Sequence, residues 1–294
     1  MKYVFFILIT SLCFALPAAA DEATAGKLTN LRSKFIAIKE PLEKNQFSRP
    51  LVLESQDTSG KLTGDIYAVV DYPLSKVSVE LNSPAHWCDV LLLHINTKYC
   101  RAMTSPGENT IVVYVGKKTQ EELKYVAHID FNYSSVASTS EYFQIQLRAE
   151  KGPMGTGDYL VLLEGLEIAN GKTFLHLTYS YSMNFAARMA MLTYLKTVAS
   201  HKVGFTTTNA GSTGQMTYVG GVRGLVERNT MRYYLAIDSF LGAAAKVPPA
   251  AQLEYRLNKW FSATEQYPEQ LHEINKDEYL TMKRAENVRQ LSLR

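Results

Sequence analysis

The sequence predicts an α+β fold in which a long run of antiparallel strands is followed by one amphipathic helix. Three observations carry this expectation. Strand-like segments succeed one another almost without interruption from Lys98 to Met183, separated by Gly- and Pro-containing turns. Apolar residues then recur at helical spacing from Val222 to Leu241. The chain has 294 residues, 46% of them hydrophobic, which is enough to bury a sizeable core. Charge is sparse and balanced: 31 Lys and Arg against 28 Asp and Glu leave a net +3, too weak and too evenly spread for polyanion recognition, so no nucleic-acid partner is expected.

At the N-terminus, Lys2 precedes an apolar run from Tyr3 to Leu16 and the small residues Ala18, Ala19 and Ala20, the order of a secretory signal peptide cleaved before Asp21. The run is shorter than the roughly 20 residues of a spanning helix. Cys13 follows Leu12 rather than a small residue, which argues against a lipid anchor. The expected location is therefore the periplasm or the exterior. Cys88 and Cys100 are the cysteines of the mature chain, and an oxidising compartment predicts that they form a disulfide. His86, Cys88, His94 and Cys100 could instead supply zinc ligands, but their spacing matches no compact ligand pair, so no metal is expected.

The elements follow in order. Leu28, Leu31, Phe35, Ile36 and Ile38 place an amphipathic helix over 22–39, ended by Pro41. Leu51 to Glu54 and Lys61 to Tyr72 read as a hairpin around a turn at Gln56 to Gly60. Leu74 to Leu81 and Pro84 to His94 read as short helices, the second with Ser83 as N-cap and Pro84 at its first position. Strands are predicted at 98–105, 110–116, 126–133, 142–150, 159–169 and 172–183, and Asn170-Gly171 is the strongest hairpin signal. A helix over 186–199 and short strands over 203–208 and 215–219 precede the helix at 222–241, which Gly242, Pro248 and Pro249 close. The remaining tail is helical, interrupted near Pro268, and its charge predicts an outer position.

A strand, two short helices (Pro84 to His94 including Trp87), a multi-stranded meander and a long late helix resemble the helix-grip fold of the START, or polyketide-cyclase-like, superfamily over Gly64 to Ala245. The resemblance implies a curved antiparallel sheet wrapped around the long helix, with an apolar cavity between them. It also implies a carrier of lipids, sterols or other hydrophobic small molecules, a minority of such proteins being enzymes. The expected organisation is a signal peptide at 1–20, an N-terminal helix and extended segment at 21–60, the START-like domain at 61–245 and a helical tail at 246–294.

Candidate ligand-binding residues follow from the pattern. Asn229 interrupts the apolar stripe and must be paired or meet a ligand. Arg232 borders the stripe, where its planar fork suits an anionic head group. Tyr233 shares the stripe, whereas Glu227 is expected to form a surface pair with Arg223. Tyr179 and Tyr181 lie on one face of the last strand and His176 on the other, so a one-residue register error would exchange them; both sets, with Trp87, remain candidates. No catalytic set is recognisable: Gly211 to Gly214 form no nucleophile elbow, and Gly152, Gly155 and Gly157 lack the following helix of a phosphate loop. The expected function is cofactor-free binding of a hydrophobic or amphipathic small molecule, a lipid-like one bringing transient membrane contact with it. The rivals are a cofactor-free enzyme using His128 or His176, and an envelope interaction module without a ligand.

Overall fold

The computed structural model describes residues 16–58, 60–210 and 215–293. The expected leader lies outside these residues as far as residue 15, as does the Gly211 to Gly214 turn. The chain begins with α1 (Leu16–Ala37) and α2 (Lys39–Glu43), then the hairpin β1 (Leu51–Thr58) and β2 (Lys61–Val70). Pro41 does not end the helical segment. It sits in the first turn of α2, where a missing N–H costs no hydrogen bond. Next come α3 (Leu74–Leu81) and α4 (Pro84–Leu91), followed by β3 (Thr97–Ser105), β4 (Glu108–Val115), β5 (Ala127–Ser138), β6 (Tyr142–Lys151), β7 (Thr156–Ile168) and β8 (Lys172–Met183). Asn170 and Gly171 both adopt positive φ, as a primed two-residue hairpin turn between β7 and β8 requires.

These strands form a single antiparallel sheet of eight, in the order β1-β2-β8-β7-β6-β5-β4-β3. Thus β2 and β8, far apart in sequence, are hydrogen-bonded neighbours, with Ile66 opposite Leu177 and Gly64 opposite Tyr179. The boundary expected at residue 60 falls inside the β1–β2 hairpin, so the sheet begins at Leu51. After β8 come α5 (Phe185–Thr197), the small hairpin β9 (Thr207–Ala210) and β10 (Gln215–Tyr218), and the long helix α6 (Gly221–Lys246). Strand geometry in the first half of this connection is confined to β9, because the chain from Val203 is tied to the helix entry, Gly204 N donating to Val219 O over 2.7 Å. The tail forms α7 (Pro249–Thr264), α8 (Pro268–Leu271) and α9 (Lys276–Ser292). The result is an α+β helix-grip architecture, a curved antiparallel sheet closed around α6. Among the described residues no helix is long and apolar enough to cross a membrane.

The period-2 pattern of β2 and β8 explains which face the sheet turns inward. Leu62, Ile66, Ala68 and Val70 of β2, with Leu175, Leu177, Tyr179 and Tyr181 of β8, face α6. The opposite face is not left to solvent: Leu31 and Phe35 of α1 and Ile38, at the start of α2, pack there on Tyr142, Leu166 and Phe174 in a smaller second core. Close approach of α6 to β2 depends on Gly64, where an added Cβ would lie 2.2 Å from Thr230 Oγ1.

Two expectations are corrected by how completely α6 is enclosed. Glu227 is not a surface residue: it is fully buried, accepting from Phe205 N, Thr206 N and Ser55 Oγ, while Arg223 Nε lies 3.9 Å away. The charged tail is not merely an outer layer either. Leu257 and Trp260 of α7 are buried against α6, Trp260 Nε1 donating to Arg232 O over 3.1 Å, and Tyr279 of α9 stacks on Trp260 at 4.9 Å. Lys98, Lys283 and Glu286 are buried between α9 and β3.

Cys88 in α4 and Cys100 in β3 are disulfide-bonded, with a Cα–Cα distance of 5.2 Å, so the cysteines of the suggested zinc set bind each other. Thiol titration of the unfolded, unreduced protein is expected to find neither cysteine free. Replacing both with Ser should lower the unfolding free energy by about 3 kcal/mol, read from urea denaturation.

Candidate functional site

A cavity of ≈ 530 Å³ lies between the sheet, α6 and α5. Its walls are apolar where the meander supplies them, through Val113, Ile129, Phe131, Leu147 and Val161, and Leu225 faces them from α6. Ala187, Met191 and Tyr194 of α5 line the side next to solvent, with Met154 and Pro153 from the β6–β7 turn. Other depressions, of ≈ 610 and ≈ 790 Å³, are shallower and more open, with charged residues such as Glu269, or Arg148 and Glu150, in their lining. The cavity between the sheet, α6 and α5 has the apolar walls and few polar groups expected of a small-molecule site.

Inside this cavity the sheet carries a row of tyrosines. Tyr159 stacks on Tyr181 at 5.4 Å, Tyr181 touches Tyr179 at 5.5 Å, and Tyr179 meets Tyr233 of α6 at 5.0 Å. His94, just after α4, extends the series by stacking on Tyr233 at 4.9 Å. The Tyr159 hydroxyl donates to Thr156 Oγ1 over 2.8 Å. The hydroxyls of Tyr179, Tyr181 and Tyr233 make no hydrogen bond among the described residues. Burial pushes all three phenols well above their ordinary range, so they remain protonated donors. Asn229 lies beside Tyr233; its Oδ1 accepts from Arg232 Nη1 over a long 3.4 Å.

The structure brings four of the sequence-derived candidates together on this cavity: Tyr179, Tyr181, Asn229 and Tyr233. Three others lie elsewhere. Trp87 is packed in the core, its Nε1 donating to Leu81 O over 2.8 Å, because the α3–α4 corner closes over it. Arg232 does not reach a cavity mouth. It is 2% exposed, and its Nη2 pairs with Glu273 Oε1 at 2.6 Å, because the segment between α8 and α9 covers that side of α6. His176 is on the outer face of the sheet, between Asp65 Oδ1 at 2.9 Å and Glu164 Oε1 at 2.8 Å and stacked on Tyr67 at 4.2 Å. Register decides this: the face that turns Tyr179 inward necessarily turns His176 outward. His128 and Asp130, 3.8 Å apart, lie more than half exposed outside the cavity.

Sequence reasoning missed Tyr159 and the polar end formed by His94, Asn96 and Thr97. Alternation along β7, with Tyr159, Val161 and Leu163 buried on one side, was available as a signal for the first. The second depends on a loop between α4 and β3 whose direction no periodicity encodes.

The architecture and the tyrosine-lined hollow define the class: an α+β helix-grip fold, a curved antiparallel sheet closed around α6 with a cavity between them. No family model matches the sequence, and no curated protein matches it. Among solved structures the chain is similar to the ZhuI aromatase/cyclase from Streptomyces sp. R1128, at 10% identity and a TM-score of 0.33 over 68% of this chain and 94% of that one. It is similar to human StAR-related lipid transfer protein 5, at 7% identity and 0.30 over 56% and 84%, and to norcoclaurine synthase from Thalictrum flavum, at 11% and 0.32 over 51% and 86%. The assignment of the fold class rests on this chain's own strand order and enclosed helix.

Proposed function

We propose that the chain is an exported binding or carrier protein that holds a hydrophobic or amphipathic small molecule between its sheet and α6. The observation that carries this reading is the apolar cavity of ≈ 530 Å³, into which tyrosines with unbonded hydroxyls project. Burial of an apolar ligand body contributes about 25 cal/mol per Å² before the costs of binding, and a few hydroxyl and amide groups suffice to orient it. Export is proposed from Lys2, the apolar run to Leu16 and the small residues before Asp21. An enzymatic alternative would need His128 or His176 at the cavity, and neither is among its lining residues.

Two measurements test the proposal. Native mass spectrometry of protein recovered from the periplasm should show a mature chain beginning at Asp21 and a copurifying hydrophobic molecule. Val113→Phe, which grows a ring into the cavity from a residue 4% exposed, should weaken uptake of that molecule by about tenfold, equivalent to about 1.4 kcal/mol, with an unchanged circular dichroism spectrum. A delipidated wild-type protein that takes up no apolar molecule would overturn the reading.

A further inference from the structure

One end of the cavity differs from the rest in charge and in hydrogen bonding. It is formed by His94 and Asn96 of the α4–β3 loop, by Thr97 at the start of β3 and by Asn229 and Tyr233 of α6. His94 is 95% buried by its 5% residual exposure, and its Nδ1 accepts from Asn96 N over 3.3 Å. That bond leaves the proton on Nε2, an N–H with no acceptor among the described residues. Arg232 Nε, behind Asn229, is a second buried N–H without an acceptor among the described residues. The Asn229 amide nitrogen and the Tyr179 and Tyr233 hydroxyls add donors with no acceptor among the described residues.

The groups behind this end are predominantly cationic. On one side Lys98 and Lys283 share the single carboxylate of Glu286, and Lys283 Nζ also donates to His94 O and Thr97 O over 2.7 and 2.8 Å. On the other side Arg232, Lys118 and Lys202 share the single carboxylate of Glu273, at 2.6, 2.5 and 3.4 Å. Glu121, near Gly116, is engaged by the main-chain N–H and ammonium of Lys117. Five basic groups thus face two carboxylates around a pocket end whose own polar atoms are mostly donors. Burial above all, and then the charges of Arg232, Lys283, Lys118 and Lys98, hold the His94 imidazole well below its ordinary pKa, so it stays neutral with Nε2–H as a donor.

We infer that the ligand is an amphipathic monocarboxylic acid, its apolar body along the tyrosine row and its carboxylate at the His94–Asn229–Tyr233 end. This rests on the carrier reading above and names the ligand class. An oxyanion would satisfy the donors of the lining residues His94, Asn229 and Tyr233 and sit in the positive field of the two clusters. A carboxylate fits better than a doubly charged phosphate, because every cation here stands behind the wall, already bound to Glu273 or Glu286, and none offers a direct counter-charge inside the cavity.

The test compares delipidated protein binding hexadecanoic acid, its methyl ester and hexadecanol at pH 8. The acid is expected to bind about tenfold or more tighter than the ester or alcohol, the range of a charge-assisted hydrogen bond. His94→Phe, which keeps the aromatic stack and removes the donor, should abolish that preference, bringing acid binding down to the level of the ester and the alcohol. His94→Gln, which restores a donor, should recover part of it. In an independent reading on the wild-type protein, hexadecanoic acid labelled with ¹³C at the carboxyl should stay ionised to lower pH when bound than when free. Equal binding of acid, ester and alcohol would overturn the carboxylate assignment and leave the cavity reading standing. Binding of none of them would overturn both.

Discussion

Glu286→Gln is expected to lower the unfolding free energy by about 3–5 kcal/mol, the cost of leaving buried charges without their counter-ion. Glu286 is 1% exposed and receives Lys98 Nζ at 3.0 Å and Lys283 Nζ at 2.8 Å, both ammonium groups being fully buried. The same ammonium groups hold the loop that forms the polar end of the cavity, Lys98 through Ile95 O and Lys283 through His94 O and Thr97 O. Loss of the carboxylate should therefore also impair ligand uptake. Replacing the trio together with apolar residues, Lys98→Met, Lys283→Met and Glu286→Leu, should cost less than the single change, because no charge is then stranded. Denaturation in urea measures both variants, and a neutral Glu286→Gln would show that the trio is hydrated. Burial foremost, and the nearby Lys98, bring Lys283 down from 10.5 to about 8 against the pull of Glu286. Between those values the unfolded chain binds more protons than the folded one, so this group's contribution to stability rises with pH from about 8 to 10.5.

His176→Gln is expected to produce the opposite pH signature. Burial alone would lower the His176 pKa, but hydrogen bonds to Asp65 and Glu164, reinforced by their charges, raise it from 6.5 to about 9. The folded protein then binds more protons than the unfolded chain between those values. The stabilisation is fully present below pH 6.5 and is lost as pH rises through 9. A displacement of this size corresponds to about 3 kcal/mol. The imidazolium also organises its surroundings: Thr178 Oγ1 donates to Asp65 Oδ1 over 2.6 Å, and Tyr142 Oη donates to Glu164 Oε2 over 2.5 Å. Denaturation curves for wild type and variant at pH 6 should differ by that amount and approach one another above pH 9. A gap independent of pH would mean that His176 is neutral between its two carboxylates. Because this cluster lies on the face opposite the cavity, the variant should retain ligand uptake at pH 6.

Much of the fold was legible because its elements are set by local chemistry. Alternation in β8, the Asn170-Gly171 turn, Pro84 at the first position of α4 and the apolar stripe of α6 each act within a few residues, and each appears where the pattern placed it. Of the site, Tyr179, Tyr181, Asn229 and Tyr233 were legible as residues of two inward faces. Trp87, Arg232 and His176 were misplaced because their surroundings come from distant segments: the α3–α4 corner, Glu273 after α8, and the β2 and β7 neighbours of β8.

By itself, the sequence determined the kinds of element and their order, since hydrophobic periodicity and turn chemistry are local properties of the chain. Tertiary structure alone decided which face of β8 meets α6, that the acid-poor clusters around Glu273 and Glu286 converge on one cavity end, and that the tail buries charge. Those outcomes depend on register and on pairing across more than a hundred residues, where a charge is stable only if its partner arrives from elsewhere in the fold.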